Sequence, residues 1–451
     1  FKNIIKNSYG YINSQQNRGK HVDIVPKMIS LYETNNRLNF QNDMLKRLKN
    51  LLGQHISTIK KTNSEPSSPL ELNDIMVDEI FNYTSHKDTF ETAKTLINQF
   101  KSVDAIKLSS LASTKINDNK LRFPNINEEL NKLCEQLGNL IHPSVPSGRD
   151  IVLKEVTNYI QPSAKPMGHY QLCLKTNIIN LKDGTSVAGN RGYYLIGNGV
   201  KLNRALMSYA IDFIENKNYE LYETPHIMTQ ESLAGVAQLS DFEETLYKCH
   251  SETDPKYLIA TSEQPLTAMF RNKLLNVNEL PIKIAGISHC YRKEAGAHGK
   301  DTLGIFRVHQ FEKIEQFCIT DKDNDWNMMS TMMDISTKFY DSLGISYRVV
   351  NVHSEDLNNA AAMKYDLEGY FPGADNKYKE LVSCTNCTDY ISKKIHCKDN
   401  KGNFVHMLNA TLCANTRTIC CLLETHQTET GIRIPDVLVP YMGGMTEIPY
   451  V

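Results

Sequence analysis

Between Ile282 and Thr320, two apolar runs flank Lys293-Glu-Ala-Gly-Ala-His-Gly-Lys-Asp-Thr302, a segment rich in glycine and charge. That pattern reads as an antiparallel hairpin with a long loop. Strand side chains alternate between faces. Arg307, His309, Phe311, Lys313 and Glu315 therefore share one face of the return strand, and Arg292 shares its parity with Glu294 on the outgoing one. Arginine and carboxylate groups on one face are expensive to bury without a ligand or partner. An exposed outer face with cross-strand ion pairs would account for them without function. A substrate floor accounts for them with function: Arg292 grips a phosphate, Phe311 stacks on a planar base and Glu315 holds a cationic amine. A second constellation, Asn409-Ala-Thr-Leu-Cys-Ala-Asn-Thr-Arg417, runs into Ile419, Leu422 and Leu423. It reads as a strand-to-helix junction carrying Arg417 near the helix start; the bland alternative is a buried helix whose arginine reaches a carboxylate.

Familiar nucleotide and metal motifs do not account for these groups. Gly197-Asn-Gly199 lacks the third glycine of a dinucleotide fingerprint. Gly296-Ala-His-Gly299-Lys300 has the wrong spacing for a Walker loop and no hydroxyl after the lysine. Cys384-Thr-Asn-Cys387 with His396 and Cys397 resembles a zinc clasp. The second pair is adjacent in sequence, which makes tetrahedral ligation awkward, so buried free thiols are expected and zinc is not.

The elements that position the site fall into two halves. From Ile24 to about Lys60, Leu31, Leu38, Leu45, Leu52 and Ile59 recur every seven residues, the seam of a coiled coil. The second row, Thr34, Gln41, Leu48 and His55, is poor, which favours an antiparallel hairpin with a partner helix in the same chain over a zipper dimer. Apolar periodicity returns near Phe100 and continues to Leu140, with Pro124 expected to bend or break that helix. Cations outnumber anions between Arg18 and Lys61. That is a solvated helix face or an arm that contacts phosphates. After about residue 165, strands are expected at Gly192–Ile196, Tyr257–Ala260, Ile282–Ile287 and Gly304–Thr320, and a helix at Lys201–Glu215. They do not alternate as βαβ units, so an α+β fold with an antiparallel sheet flanked by helices is expected.

Composition narrows the class further. Over 451 residues, 50 basic side chains balance 51 acidic ones, which excludes a generally cationic nucleic-acid sponge. No apolar run is long enough for a transmembrane helix, so no membrane partner is expected. The opening residues resemble neither a signal peptide nor an Arg-rich transit segment. Eleven cysteines without framework spacing fit a reducing compartment, and a cytoplasmic location is expected.

Taken together, the ordered segments resemble the seryl-tRNA synthetases, and most closely the eukaryotic cytosolic type. Thr261-Ser-Glu-Gln-Pro265, Arg292-Lys-Glu294, Gly304 through Glu315, Glu380-Leu-Val-Ser383, Asn409 to Arg417 and Glu424-Thr-His-Gln-Thr-Glu429 carry the resemblance, which spans nearly the whole chain. It implies a class II aminoacyl-tRNA synthetase: an amino-terminal tRNA-binding domain over residues 1–150, with a helical hairpin arm at about 24–141, and a catalytic domain over 151–451. The implied reaction joins L-serine to ATP as seryl-adenylate, then moves serine to the 3′ end of tRNA(Ser), and of tRNA(Sec) where present. A homodimer is implied through the helix after Lys201 and the strand ending at Pro225.

The resemblance also assigns residues. Arg292 and Arg417 are the implied catalytic groups. The implied ATP contacts are Arg292, Lys293, Glu294, Arg307, Val308, His309, Gln310, Phe311, Glu380, Leu381, Val382, Ser383 and Arg417, with the adenine between Phe311 and Arg417. Serine is implied at Thr261, Ser262, Glu263, Arg292, Glu315, Asn409 and Thr411, and Mg²⁺ arrives with ATP at Glu380 and Ser383. Leu303 departs from the arginine the family often has in the hairpin loop; Ser262 and Thr411 are conservative variants. A catalytically inactive RNA-binding relative would be expected to have a damaged pocket, and a ligase for a carrier protein would be expected to lack the basic arm.

Overall fold

The heptad row closes on a second helix of the same chain. The structure, a computed structural model, describes residues 2–84, 89–158, 165–236, 245–249, 254–294, 303–373 and 377–451. Its chain divides into a unit of residues 1–16 and 20–137 and a unit of residues 17–19 and 138–451.

In the first unit, α1 (Ile24–Thr62) and α2 (Ser102–Gln136) pack together. They run antiparallel, because Lys27 pairs with Glu129, Asn35 with Asn127 and Asn42 with Asn119. Leu38, Leu45, Leu48, Leu52 and Ile59 are buried on α1. Leu48, in the poor second row, is covered by chain between the helices, where Ile80, Ala93, Ile97 and Phe100 complete the cluster. The buried Asn119 amide donates to Asn42 at 2.9 Å, a polar pair of the kind that fixes helix register. Pro26 sits in the first turn of α1, where a missing N–H is harmless. Pro124 was expected to interrupt α2, yet the helix runs through it. The proline faces solvent, where water can satisfy the carbonyl whose donor it lacks.

In the second unit, eight strands form the central sheet: β1 (Ile151–Val156), β2 (Glu220–Glu223), β3 (Ile282–Tyr291), β4 (Gln310–Thr320), β5 (Tyr347–Asn351), β6 (Met363–Phe371), β7 (Lys377–Asn386) and β8 (His406–Ala414). The spatial order is β1-β5-β6-β7-β8-β4-β3-β2, antiparallel except for β2 on β3. Helices α3 (Asn198–Glu215), α5 (Asp325–Ser342) and α6 (Asn415–Thr425) pack on one face, burying Ile314, Phe339, Tyr340, Leu412 and Ile419; α4 (Glu263–Met269) lies on the other, over Ile284 and Phe317. β4 alternates accordingly: Ile314 and Gln316 point to the helices, while Lys313, Glu315 and Phe317 point the other way.

Several boundaries differ from the sequence reading. The sequence placed the domain boundary at 150, but residues from 138 onward already belong to the sheet unit: Asn139 N–H donates to Asn359 O, and His142 N–H to Ala362 O. The return strand starts at Gln310 rather than Gly304. Gly304 has φ +72°, and Phe306 and Val308 are both buried, so residues 304–309 form an irregular turn. The strand at 192–196 shrinks to Tyr194–Leu195, and the one at 257–260 becomes Lys256–Leu258. Of the cysteines weighed and set aside as a zinc clasp, Cys384 packs on the helix side of the sheet, while Cys387 and Cys397 pack on the other. Burial pushes the Cys397 thiol up to about 11. Gly296–Lys300 and most of the Lys293–Thr302 loop lie outside the described residues.

Candidate active site

The sheet face opposite α3, α5 and α6 holds an open cleft with a cavity volume of about 240 Å³. Its floor comes from β7, β8, β4 and the end of β3, and one wall comes from the start of α4. Register brings distant chain segments together here. Glu315 stands opposite Thr411 on β8 and Gly286 on β3. A methyl on Gly286 would come 2.6 Å from Ser262 Oγ and 2.8 Å from Leu266 Cδ1, so glycine is what lets α4 settle on the sheet.

One end of the cleft is a polar cup. Glu315 is 2% exposed, and its carboxylate pairs with the Lys313 ammonium and lies 3.4 Å from Thr261 Oγ1. Lys313 also donates to Thr261 Oγ1 at 3.2 Å. Asn409 Nδ2 donates to Glu263 Oε1 at 2.8 Å. Thr411 completes the lining. Carboxylates and hydroxyls converging in a small volume suit a ligand with an amine and a hydroxyl.

The other end is cationic and aromatic. The Arg292 guanidinium lies 5.3 Å from the Phe311 ring centroid, and its Nε donates to Ala260 O. Arg307 pairs with Glu294 at 3.3 Å. Glu294 adopts φ +50°, so strand parity stops before it, yet it still faces the cleft. The Arg417 guanidinium lies 5.3 Å from Phe306, a partner the sequence reading did not foresee, and its Nη1 is 3.7 Å from the Glu380 carboxylate. Burial lowers Arg417 below the usual guanidinium range, opposed by Glu380. Burial alone would raise Glu380, but Arg417, Lys364 and Arg292 outweigh it and hold the carboxyl below its usual range.

Glu380 and Ser383 both face the cleft, beside a register shift between β6 and β7. A carboxylate kept ionised by surrounding cations and a hydroxyl oxygen are hard donors. That pair fits Mg²⁺, which takes few protein ligands and shares the rest with water and phosphates. Opposite Ser383, burial and then the nearby Glu380 push Asp366 up to about 7, although its partner Lys364 lies 3.0 Å away. Among the described residues, no three His, Cys, Asp or Glu side chains converge as metal ligands.

The cleft thus gathers Thr261, Glu263, Arg292, Glu294, Arg307, Val308, Phe311, Glu315, Glu380, Leu381, Ser383, Asn409, Thr411 and Arg417. Five expected residues do not line it. Ser262 is buried beneath, donating to Gly286 O at 3.2 Å. Val382 is buried in the core on the helix side. His309 Nδ1 is 3.0 Å from Arg292 O, Gln310 O accepts from Tyr193 Oη, and Lys293 N–H donates to Thr245 O; all three brace the hairpin. Sequence reasoning gave no role to Lys313, although it shares parity with Phe311 and Glu315. Nor does the sequence give a site role to Phe306, Ala414 or Thr416, which lie within the segments that carry the resemblance, to Cys387, or to Asn358, Ala360 and Thr385, which tertiary folding brings here.

An antiparallel-dominated sheet with helices on one face and a cationic, carboxylate-lined cleft on the other is the class II synthetase core. Residues 247–426 match the family of the tRNA synthetase class II core domain (G, H, P, S and T). The chain is 40% identical over 453 residues to the serine–tRNA ligase of Helianthus annuus, covering 97% of this chain and 94% of that protein. It is similar to the crystal structure of cytoplasmic serine–tRNA ligase from Naegleria fowleri in complex with AMP, with a TM-score of 0.88, 41% identity, and coverage of 98% and 96%. The seryl-tRNA synthetase of Pyrococcus horikoshii complexed with ATP gives a TM-score of 0.85 at 28% identity, covering 100% and 99%. The chain belongs to the serine–tRNA ligase family.

Proposed function

We propose that the cleft activates L-serine with ATP and passes the seryl group to the 3′ end of tRNA(Ser), and of tRNA(Sec) where that acceptor exists. The observation that carries the reading is the joining of a carboxylate–hydroxyl cup to an arginine-lined end in one cleft. Serine's ammonium would bind Glu315 and Thr261, displacing the Lys313 ammonium that now holds both. Its hydroxyl would bind among Glu263, Asn409 and Thr411. ATP would lie along the other end, with Glu294 accepting from the adenine amine and Arg417 and Phe311 against the ring faces.

A serine carboxylate oxygen attacks the α-phosphorus, and the bond from that phosphorus to the pyrophosphate oxygen breaks. Arg292 stabilises the charge that builds on the α-phosphate oxygens. Glu380 and Ser383 would hold Mg²⁺, which when bound neutralises charge on the leaving pyrophosphate. No protein nucleophile is required; alignment and electrostatics carry the rate. In the second step, a terminal ribose hydroxyl of the tRNA attacks the seryl carbonyl and AMP leaves.

The α1–α2 hairpin would be the tRNA-contacting arm, its clustered lysines and arginines releasing counterions from the phosphate backbone. Helix α3 and strand β2 would form the homodimer contact. A cytoplasmic location accords with relatives named cytoplasmic, and among the described residues no helix is long and apolar enough to cross a membrane.

Serine-dependent exchange of radiolabelled pyrophosphate into ATP tests the first step. Exchange with serine is expected. Folded protein that gives none would support the inactive RNA-binding reading, and activation without charging of tRNA(Ser) would support a carrier-protein ligase.

A further inference from the structure

A single arginine, far in sequence from the rest of the site, holds the backbone of one cleft wall. Arg18 is 3% exposed. Its Nη1 donates to Leu357 O at 3.2 Å and Asn358 O at 2.7 Å, and its Nη2 to Asn139 O at 3.1 Å and Ala361 O at 2.6 Å. Asn139 takes the two carbonyls that Arg18 leaves. Its N–H donates to Asn359 O at 2.7 Å, and its Nδ2 to Ala360 O at 2.9 Å. Two residues therefore bind every carbonyl from Leu357 to Ala361.

With those carbonyls drawn to one side, the same segment turns Asn358 and Ala360 into the cleft. Asn358 Oδ1 accepts from the N–H groups of Ala360 and Ala361 at 3.0 Å, which tightens the turn. The network continues towards the polar cup. Asn139 Nδ2 also donates to Cys387 O at 2.9 Å and Thr388 Oγ1 at 3.0 Å. Cys387 Sγ lies 4.0 Å from Asn409 Nδ2, the group that holds Glu263. None of these contacts reaches Phe311, Phe306 or Arg417.

Among the described residues this buried guanidinium meets backbone carbonyls and no carboxylate, a costly way to fill space. Hydrophobic packing would stabilise the position more simply, but it could not orient a run of carbonyls. We infer that Arg18 is a positioning residue for the amino-acid end of the cleft, fixing the 357–361 wall and, through Asn139, the cup around Glu263 and Asn409. This inference rests on the seryl-activation reading above. Loss of the Arg18 contacts should therefore weaken serine recognition and leave ATP recognition alone.

The test is pyrophosphate-exchange kinetics on the full chain, with serine and ATP varied separately. Arg18→Met keeps an unbranched stem and removes the charged donors. The serine KM should rise at least about tenfold, with the ATP KM within about twofold. Arg18→Lys, which restores the charge but not the forked donors, should fall between wild type and Arg18→Met. If Arg18→Met does not fold, Arg18→Lys and Asn139→Ala carry the test, each with a selective rise of a fewfold in serine KM. An unchanged serine KM, or parallel losses for both substrates, would overturn the inference. A wild-type chain without serine-dependent exchange would instead sink the functional reading beneath it.

Discussion

The arm and the cleft hold their polar groups by opposite means. In the α1–α2 hairpin, polarity serves a local repeat: the Asn42–Asn119 contact is buried within a row of leucines, where it marks the register, and Pro124 is tolerated because it points outward. In the cleft, polarity is the purpose, and it depends on register between segments far apart in the chain, as where Glu315 faces Thr411 and Gly286. A one-residue slip in the arm would shift a seam. The same slip on β4 would turn Glu315 into the core. The arm should therefore absorb substitution with little loss of chemistry, and the cleft should not.

Arg292→Ala should give the largest effect. Removing a charge-stabilising donor costs roughly 10²–10³ in rate, so exchange kcat should fall by that factor while thermal unfolding moves by no more than a few degrees. A matching collapse of stability would make Arg292 structural and erase the contrast. Joining Asn35 to Asn127, which face each other across the hairpin, removes the outer arm. Exchange should survive, and tRNA charging should fall by about two orders of magnitude, as expected when many phosphate contacts are lost. Intact charging would contradict the role given to the arm.

Glu315→Gln comes next. It leaves the Lys313 ammonium without its anion in a buried setting, at a cost of about 3 kcal/mol. Urea unfolding should show that loss together with a raised serine KM. Pro124→Ala should act in the other direction, adding a helix hydrogen bond and stabilising the arm by up to about 3 kcal/mol without altering exchange.

The smallest effect concerns the His353–Asp150 pair at 2.6 Å. The hydrogen bond to Asp150 raises His353 above its ordinary value. Its contribution is therefore complete below about pH 6.5, the unfolded value, and fades as pH rises through the higher folded one. Asp150 is partly exposed, so the gain should stay under about 1 kcal/mol. Stability of His353→Ala and wild type should converge above that folded value; a gap that widens with pH would reverse the sign.

The same contrast explains what could be read from sequence. Period seven exposed the arm because each turn repeats its neighbour, and Leu38, Leu45, Leu52 and Ile59 are buried as that period requires. Period two placed Phe311, Lys313 and Glu315 together because β4 is regular there. Where the backbone leaves those periods, at Gly304 and Glu294 with positive φ, parity loses meaning and the strand was drawn too long. Asn358 and Ala360 belong to no periodic run, Phe306 lies in the irregular stretch before β4, and Arg18 reads in sequence only as one cation among many. Their positions follow from contacts across much of the chain, and only the folded structure displays them.

The central claim is that the cup selects an amino acid by its hydroxyl. Pyrophosphate exchange driven by serine and by alanine, compared as kcat/KM, tests it most directly. Without the hydroxyl that would bind among Glu263, Asn409 and Thr411, alanine should be penalised by about 10⁴-fold. Comparable values for the two amino acids would contradict the account.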